Sequence, residues 1–285
     1  MHSVKIIQRD ALDRLGEGLL WSARDRALYW VDILAQRLFR LNPGNNQVDS
    51  WDVPEMIGWV IERRDVLGFI AGFTSGFAEL TLDPLTITPI ASPEADMPGN
   101  RMNDAVADAQ GRIWAGTMPV GCDAPTGSLY RLETDRSVTK FDSGYTVTNG
   151  PVISPDGAWL YHTDSPLGSV YRFPLDASGE PGARAPFIRF EAGWGHPDGM
   201  TVDRDGGIWI AHWGGSCVSR FTPDGERERS IQLPASQITN CVFAGEDLDR
   251  MFVTSAADGV DEPHGGALFE IEPGCVGLPA RTYAG

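Results

Sequence analysis

Short runs in which apolar and polar residues alternate recur along the chain, among them Arg37-Leu38-Phe39-Arg40-Leu41, Gly127-Ser128-Leu129-Tyr130-Arg131-Leu132, Gly168-Ser169-Val170-Tyr171-Arg172-Phe173 and Gly266-Ala267-Leu268-Phe269-Glu270-Ile271. A period of two sends successive side chains to opposite faces, so each run predicts a half-buried strand. No amphipathic helical run of useful length interrupts them. A second pattern opens each unit: an apolar residue, Asp, a two-residue turn, Gly, then an apolar-aromatic pair. It is plain in Val202-Asp203-Arg204-Asp205-Gly206-Gly207-Ile208-Trp209, and residues 106–114 and 153–161 carry close copies. It reads as two strands joined by a type I-like turn. Weaker copies fall at residues 20–30, 64–72 and 242–252.

The aromatic anchors of these copies are Trp30, Phe69, Trp114, Tyr161, Trp209 and Phe252. They recur roughly every 40 to 48 residues, the length of a four-stranded propeller blade. They predict an all-β fold: a six-bladed β-propeller of four-stranded antiparallel blades, with residues 1–285 as a single domain. An irregular β-sandwich is the competing architecture, and the regular spacing argues against it. The segment Ser3-Val4-Lys5-Ile6-Ile7 precedes the first copy. It is expected to complete the last blade beside residues 267–271, closing the ring and removing an exposed sheet edge.

Composition narrows the partners. With 42% apolar residues, 33 glycines and 20 prolines in 285 residues, the chain can bury a large core and still turn sharply at short intervals. A formal charge of −16 repels phosphate backbones and anionic membrane surfaces, which points away from nucleic acid and membrane and toward cations. The N-terminal residues lack a long apolar segment and no run approaches about 18 apolar residues, so a cytoplasmic location is expected. Cys122, Cys217, Cys241 and Cys275 show no CxxC spacing and read as ordinary thiols of a reduced compartment. The sequence carries no signal of oligomeric state.

In a propeller, the segments entering each blade's innermost strand gather at one mouth of the central channel. Those segments hold Gly16-Glu17-Gly18, Asn100-Arg101-Met102-Asn103-Asp104, Thr148-Asn149-Gly150-Pro151 and His196-Pro197-Asp198-Gly199. Pro197 presets its own φ and Gly199 tolerates angles closed to other residues, so Asp198 is expected on a stiff turn. Glu17, Asn103, Asn149 and Asp198 offer oxygen donors, two of them anionic, which suits one divalent ion among Ca²⁺, Mg²⁺, Mn²⁺, Zn²⁺ and Fe²⁺. Singly, Glu17 and Asn149-Gly150 are ordinary turn residues. Their equivalent placement in four units argues for a site. His162 and His212 read as buried structural residues, and Trp194 and His196 as walls of the pocket or simple packing. No Gly-x-Ser-x-Gly elbow is present, because Gly72-Phe73-Thr74-Ser75-Gly76 has Thr at its centre, and neither an HExxH nor a Walker sequence occurs. What remains is metal-assisted chemistry with water activated by a carboxylate.

At these residues the chain resembles the SMP-30/gluconolactonase/regucalcin family of six-bladed propeller lactonases. The carriers are Gly16-Glu17-Gly18 with Trp21, Arg101-Met102-Asn103-Asp104, Gly116-Thr117-Met118, Gly127-Ser128-Leu129-Tyr130, Asn149-Gly150, Ser154-Pro155-Asp156-Gly157, Pro197-Asp198-Gly199 and Trp213-Gly214-Gly215, spread over nearly the whole chain. Asn149-Gly150-Pro151 and Tyr161-His162-Thr163-Asp164 are worded like bacterial sugar-acid lactonases of the xylonolactonase and arabinolactonase type. The resemblance implies one divalent metal ion held by Glu17, Asn149 and Asp198, with Asp198 also the general base. It implies that Arg101 and Asn103 contact the lactone. One departure stands out: family members often carry a substrate-binding acid shortly after Gly-Thr-Met, whereas Pro119-Val120-Gly121-Cys122 follows here and Asp123 is the nearest carboxylate.

The expected function is hydrolysis of a small-molecule sugar lactone, a pentono- or hexonolactone, to the aldonate in sugar-acid catabolism. The alternative is a calcium-binding regulatory propeller without turnover. Arg101 disfavours it, because a pure cation site gains nothing from a positive side chain at its mouth.

Overall fold

Three of the alternating runs are strands, Arg37–Asn42, Gly127–Leu132 and Ser169–Pro174, and of the fourth only Phe269–Ile271 is, in the computed structural model, which describes residues 3–285. Gly127–Leu132 is buried on both faces, not one. Among the described residues, 24 strands form six antiparallel four-stranded sheets, and the one other regular element is the 3-10 turn Ser165–Leu167. Five blades use consecutive strands. The sixth takes its outer strand from the other end of the chain: Val4 pairs with Ile271, Lys5 with Glu270 and Ile6 with Phe269, which is the expected closure.

The six anchors occupy the second strand of successive blades, and all are buried. The repeated Asp has a matching role. Trp114 Nε1 donates to Asp108 Oδ2 at 3.2 Å and Trp209 Nε1 to Asp203 Oδ2 at 3.0 Å, so the carboxylate at the turn satisfies the buried indole across the hairpin. In the copy at 202–209, Gly206 has φ 83 and its N–H bonds the Asp203 carbonyl at 3.1 Å, a turn that favours glycine there.

The apolar core is divided into wedges between the facing sides of adjacent blades. Leu20, Tyr29 and Val31 of blade 1 meet Val60 and Phe69 of blade 2, while Phe252 and Leu268 of blade 6 meet Trp21 and Trp30 of blade 1 across the closure. Each such side chain, fully buried, contributes about 1.5–3 kcal/mol. Neighbouring blades are thus held by sheet-on-sheet packing. The innermost strands are Gly16–Ser22, Ile57–Glu62, Asn100–Ala107, Thr148–Ile153, His196–Val202 and Ile238–Ala244, each lying against the innermost strands of both neighbouring blades around a central channel.

The C-terminal segment spans one end of that channel, a feature without a sequence signal. Gly277 bridges to Asp203 of blade 5, and Tyr283 bridges to Arg63 of blade 2. The Ala284 N–H bonds the Gly111 carbonyl of blade 3 at 2.9 Å. Residues 278–281 line a channel cavity of about 150 Å³ together with the later halves of the innermost strands.

Candidate active site

Every innermost strand slips register against its neighbour, between Glu17 and Leu20, Ile57 and Trp59, Met102 and Ala105, Asn149 and Val152, Pro197 and Met200, and Ile238 and Asn240. A bulge re-aims side chains that a regular ladder would alternate. Glu17, Asn103, Asn149 and Asp198 all stand at or beside these slips. This corrects one expectation: Asp198 lies within a strand at a bulge, not on a turn leading into one. The flanking glycines follow from the crowding. Gly18 has φ 58, and a Cβ on it would sit 2.5 Å from the Gly58 carbonyl oxygen. A Cβ on Gly199 would meet Asn240 Nδ2 at the same separation, 2.5 Å.

The early halves of four of these strands, those of blades 1, 3, 4 and 5, line a cavity of about 320 Å³ at the other end of the channel from the C-terminal segment. Glu17, Arg101, Asn103, Asn149 and Asp198 all line it, so the structure brings the five residues singled out in the sequence to one place. His196 lines it too. Trp194 does not: it packs on Phe190 and Phe221, at 5.7 and 6.1 Å between ring centroids, and Trp213 walls the cavity instead. His162 and His212 are fully buried outside it, His212 bonding the Trp194 carbonyl at 2.7 Å, in keeping with a structural role. At the position of the missing acid, Cys122 lines the cavity and Asp123 does not.

Glu17, Arg101, Asn103, Asn149, Ser165 and Asp198 are buried, each no more than 7% exposed, whereas His196 and Cys122 lie exposed at the rim. Arg101 Nη1 donates to Asn103 Oδ1 at 2.6 Å and to the Met102 carbonyl at 3.0 Å. Asn103 Nδ2 donates to Asn149 Oδ1 at 3.1 Å and to the Thr148 carbonyl. Asn149 Nδ2 donates to Ser165 Oγ at 2.8 Å. Glu17 Oε2 accepts from Asn240 Nδ2 at 2.8 Å and from the Gly18 N–H at 3.0 Å.

Burial dominates the acid–base behaviour. It pushes Glu17 up from 4.5 to about 7, against the hydrogen bonds from Asn240 and Gly18 and the charge of Arg101. Asp198 is raised well above the ordinary carboxylate range by burial, then by the charges of Glu17 and Asp104. Asp104, on the channel side of the ring, is raised for the same reasons, burial first and Glu17 second. Burial lowers the pKa of Arg101, opposed by Cys122, Glu17 and Asp198.

Such a group of acids is costly to ionise without a cation. Among the described residues no three His, Cys, Asp or Glu side chains group as a metal cage. The available donor set is two carboxylates with amide oxygens, and it fits a hard divalent ion with oxygen ligands. The contributions of Ser165, Met118, Cys122, Val147, Trp213 and Asn240 were not read from the sequence. Ser165 follows the quoted Tyr161-His162-Thr163-Asp164 directly, but only the fold shows that it reaches Asn149.

The family model described as SMP-30/Gluconolactonase/LRE-like region matches residues 15–257. The chain is 37% identical to a 6-deoxy-6-sulfogluconolactonase of Pseudomonas putida over 95% of each chain. It is 36% identical to a pentonolactonase of Haloferax volcanii over 95% of this chain and 94% of the relative. Among solved structures, a protein described as a calcium-binding protein, regucalcin, from Agrobacterium tumefaciens superposes with a TM-score of 0.93 at 29% identity, covering 99% of this chain and 97% of the other. The chain belongs to the SMP-30/gluconolactonase/LRE-like family.

Proposed function

We propose that this chain is a metal-dependent lactonase that opens the ester ring of an aldonolactone, a pentono- or hexonolactone, in sugar-acid catabolism. The observation that carries the reading is the meeting of two buried carboxylates, Glu17 and Asp198, with the Arg101 guanidinium on the wall of one cavity of about 320 Å³. That volume suits a single sugar ring. Relatives with sugar-lactonase names support the choice of substrate.

Glu17, Asn149 and Asp198 would hold one divalent ion among Ca²⁺, Zn²⁺, Mn²⁺, Mg²⁺ and Fe²⁺. When bound it would supply Lewis acidity to the ester carbonyl and lower the pKa of water. Asp198 takes a proton from the attacking water as its oxygen adds to the carbonyl carbon. Arg101 offsets the negative charge that develops on the carbonyl oxygen, and Asn103, held by Arg101 Nη1, keeps that guanidinium in place. As the tetrahedral intermediate collapses, the ring C–O bond breaks and Asp198 returns its proton to the leaving alkoxide. The product is the open-chain hydroxy acid, ionised at neutral pH.

The second reading, divalent-cation binding without turnover, draws on relatives named regucalcin. It leaves the cavity and Arg101 without a role. The deciding experiment follows acid release in a weakly buffered aldonolactone solution with purified protein, with and without chelator. Release that chelator suppresses is expected. Cation binding with no acid release from any pentono- or hexonolactone would favour the second reading.

A further inference from the structure

The hydrogen bonds joining Arg101, Asn103, Asn149 and Ser165 run in one direction. A guanidinium has donors and no acceptor, so Asn103 must meet Arg101 with Oδ1, as it does at 2.6 Å. Asn103 Nδ2 is left to donate, and it bonds Asn149 Oδ1 at 3.1 Å. Asn149, accepting on Oδ1, has only Nδ2 to offer on its other side, and the acceptor there is Ser165 Oγ at 2.8 Å. All four side chains are buried, so turning either amide over would set donor against donor out of reach of water.

Ser165 is itself firmly held. Its N–H bonds the Val147 carbonyl at 3.0 Å. Its carbonyl accepts from the Gly168 N–H at 2.9 Å and from His196 Nδ1 at 3.0 Å, and Gly168 ends the Ser165–Leu167 turn at φ 61. The hydroxyl is thereby fixed in space at the cavity wall, with its oxygen toward Asn149.

We propose that Ser165 is a positioning residue of this site: by accepting the Nδ2 proton it anchors the Asn149 amide and fixes Oδ1 as the atom offered to a divalent cation. The inference rests on the proposed ligand role of Asn149 and adds to it a residue that acts on the cation through Asn149. Losing a partner that orients a ligand typically weakens metal affinity by about 10- to 100-fold.

The test is calorimetric titration of Ca²⁺ and Mn²⁺ into metal-stripped full-length protein. Ser165→Ala should weaken affinity by about 10- to 100-fold, Ser165→Cys, with a poor acceptor of similar size, by about tenfold, and Ser165→Thr by less than about threefold. In an Asn149→Asp background, whose side chain carries oxygen on both sides, the Ser165→Ala loss should shrink to less than about threefold. Affinity of the Ala and Cys variants within about threefold of wild type overturns the proposal, as does an equal loss in both backgrounds. A wild-type protein that binds neither cation removes the ligand reading itself, an outcome distinct from failure of the positioning role.

Discussion

Glu17 and Asp198 face each other out of water, and in the metal-free protein their protons are held above the normal range, Glu17 up to about 7 from 4.5. The sign of the pH effect follows. The unfolded chain releases the Glu17 proton near 4.5 while the folded protein keeps it, so this contribution to stability is full below 4.5 and is lost as pH rises through about 7. A cation held by Glu17 as proposed would replace that proton, so its affinity should climb over the same window. Thermal melts with and without Ca²⁺ should show the stabilisation by the ion increasing from pH 5 to pH 8. A stabilisation that is flat or falls with pH would contradict the assignment of Glu17. The two acids should also separate by substitution. On the proposed assignment, Glu17→Gln removes charge from a ligand but no proton acceptor that the reaction uses, so excess metal should restore much of the rate. Asp198→Asn keeps an oxygen but cannot take a proton, so kcat should stay about 10² to 10⁴-fold down at saturating metal. Titrating metal at fixed lactone separates them; full recovery of Asp198→Asn by metal would remove it as the base.

At the scale of strands and turns, the sequence is legible where local chemistry dictates geometry. The Asp-Gly turn with its aromatic anchor marks a hairpin because the carboxylate, the glycine and the indole are all used within eight residues, as Asp203, Gly206 and Trp209 are. Glu17, Arg101, Asn103, Asn149 and Asp198 are legible for a related reason: each lies near the same strand end in its repeat unit, so equivalent positions in a ring converge. Ser165, Cys122 and Asn240 are not, because what makes them matter is a neighbour from another strand or blade. Asn240 reaches Glu17 from blade 6 across the axis-lining strands, 223 residues away in the chain. Bulges are hidden too, since a register slip is a property of two strands together. They carry a prediction of their own. Gly18 combines φ 58 with a backbone oxygen 2.5 Å from where a Cβ would stand. Gly18→Ala should therefore cost about 1–3 kcal/mol in urea unfolding and weaken cation binding at Glu17, whereas Gly157→Ala, strained at φ 74 but with nothing within 4 Å of its Cβ, should leave cation affinity unchanged.

Across the whole molecule, the division of the core into wedges between blades decides what the ion can and cannot do. The apolar contacts lie between sheets, away from the cavity, and the ring is closed by the pairing of Val4–Ile6 with Phe269–Ile271. The proposed cation at one end of the channel would therefore add to a fold that already has its own core. Chelator should abolish lactone hydrolysis while leaving the β-rich far-ultraviolet circular dichroism unchanged, with a stability loss set by mass action, about 2.7 kcal/mol for an ion present at 100 times its dissociation constant. Breaking the ring should have the opposite signature. Deleting residues 1–7 strips the outer strand of blade 6 and uncovers an edge, so the melting temperature should fall whether or not metal is present, and added Ca²⁺ should not restore it. The comparison is discriminating because removing the ion should cost activity without fold, whereas removing the closing strand should cost fold whatever the ion does. If chelator unfolded the protein as fully as loss of the closing strand does, the ion held by Glu17, Asn149 and Asp198 would be a structural element and the catalytic role proposed for it would fall.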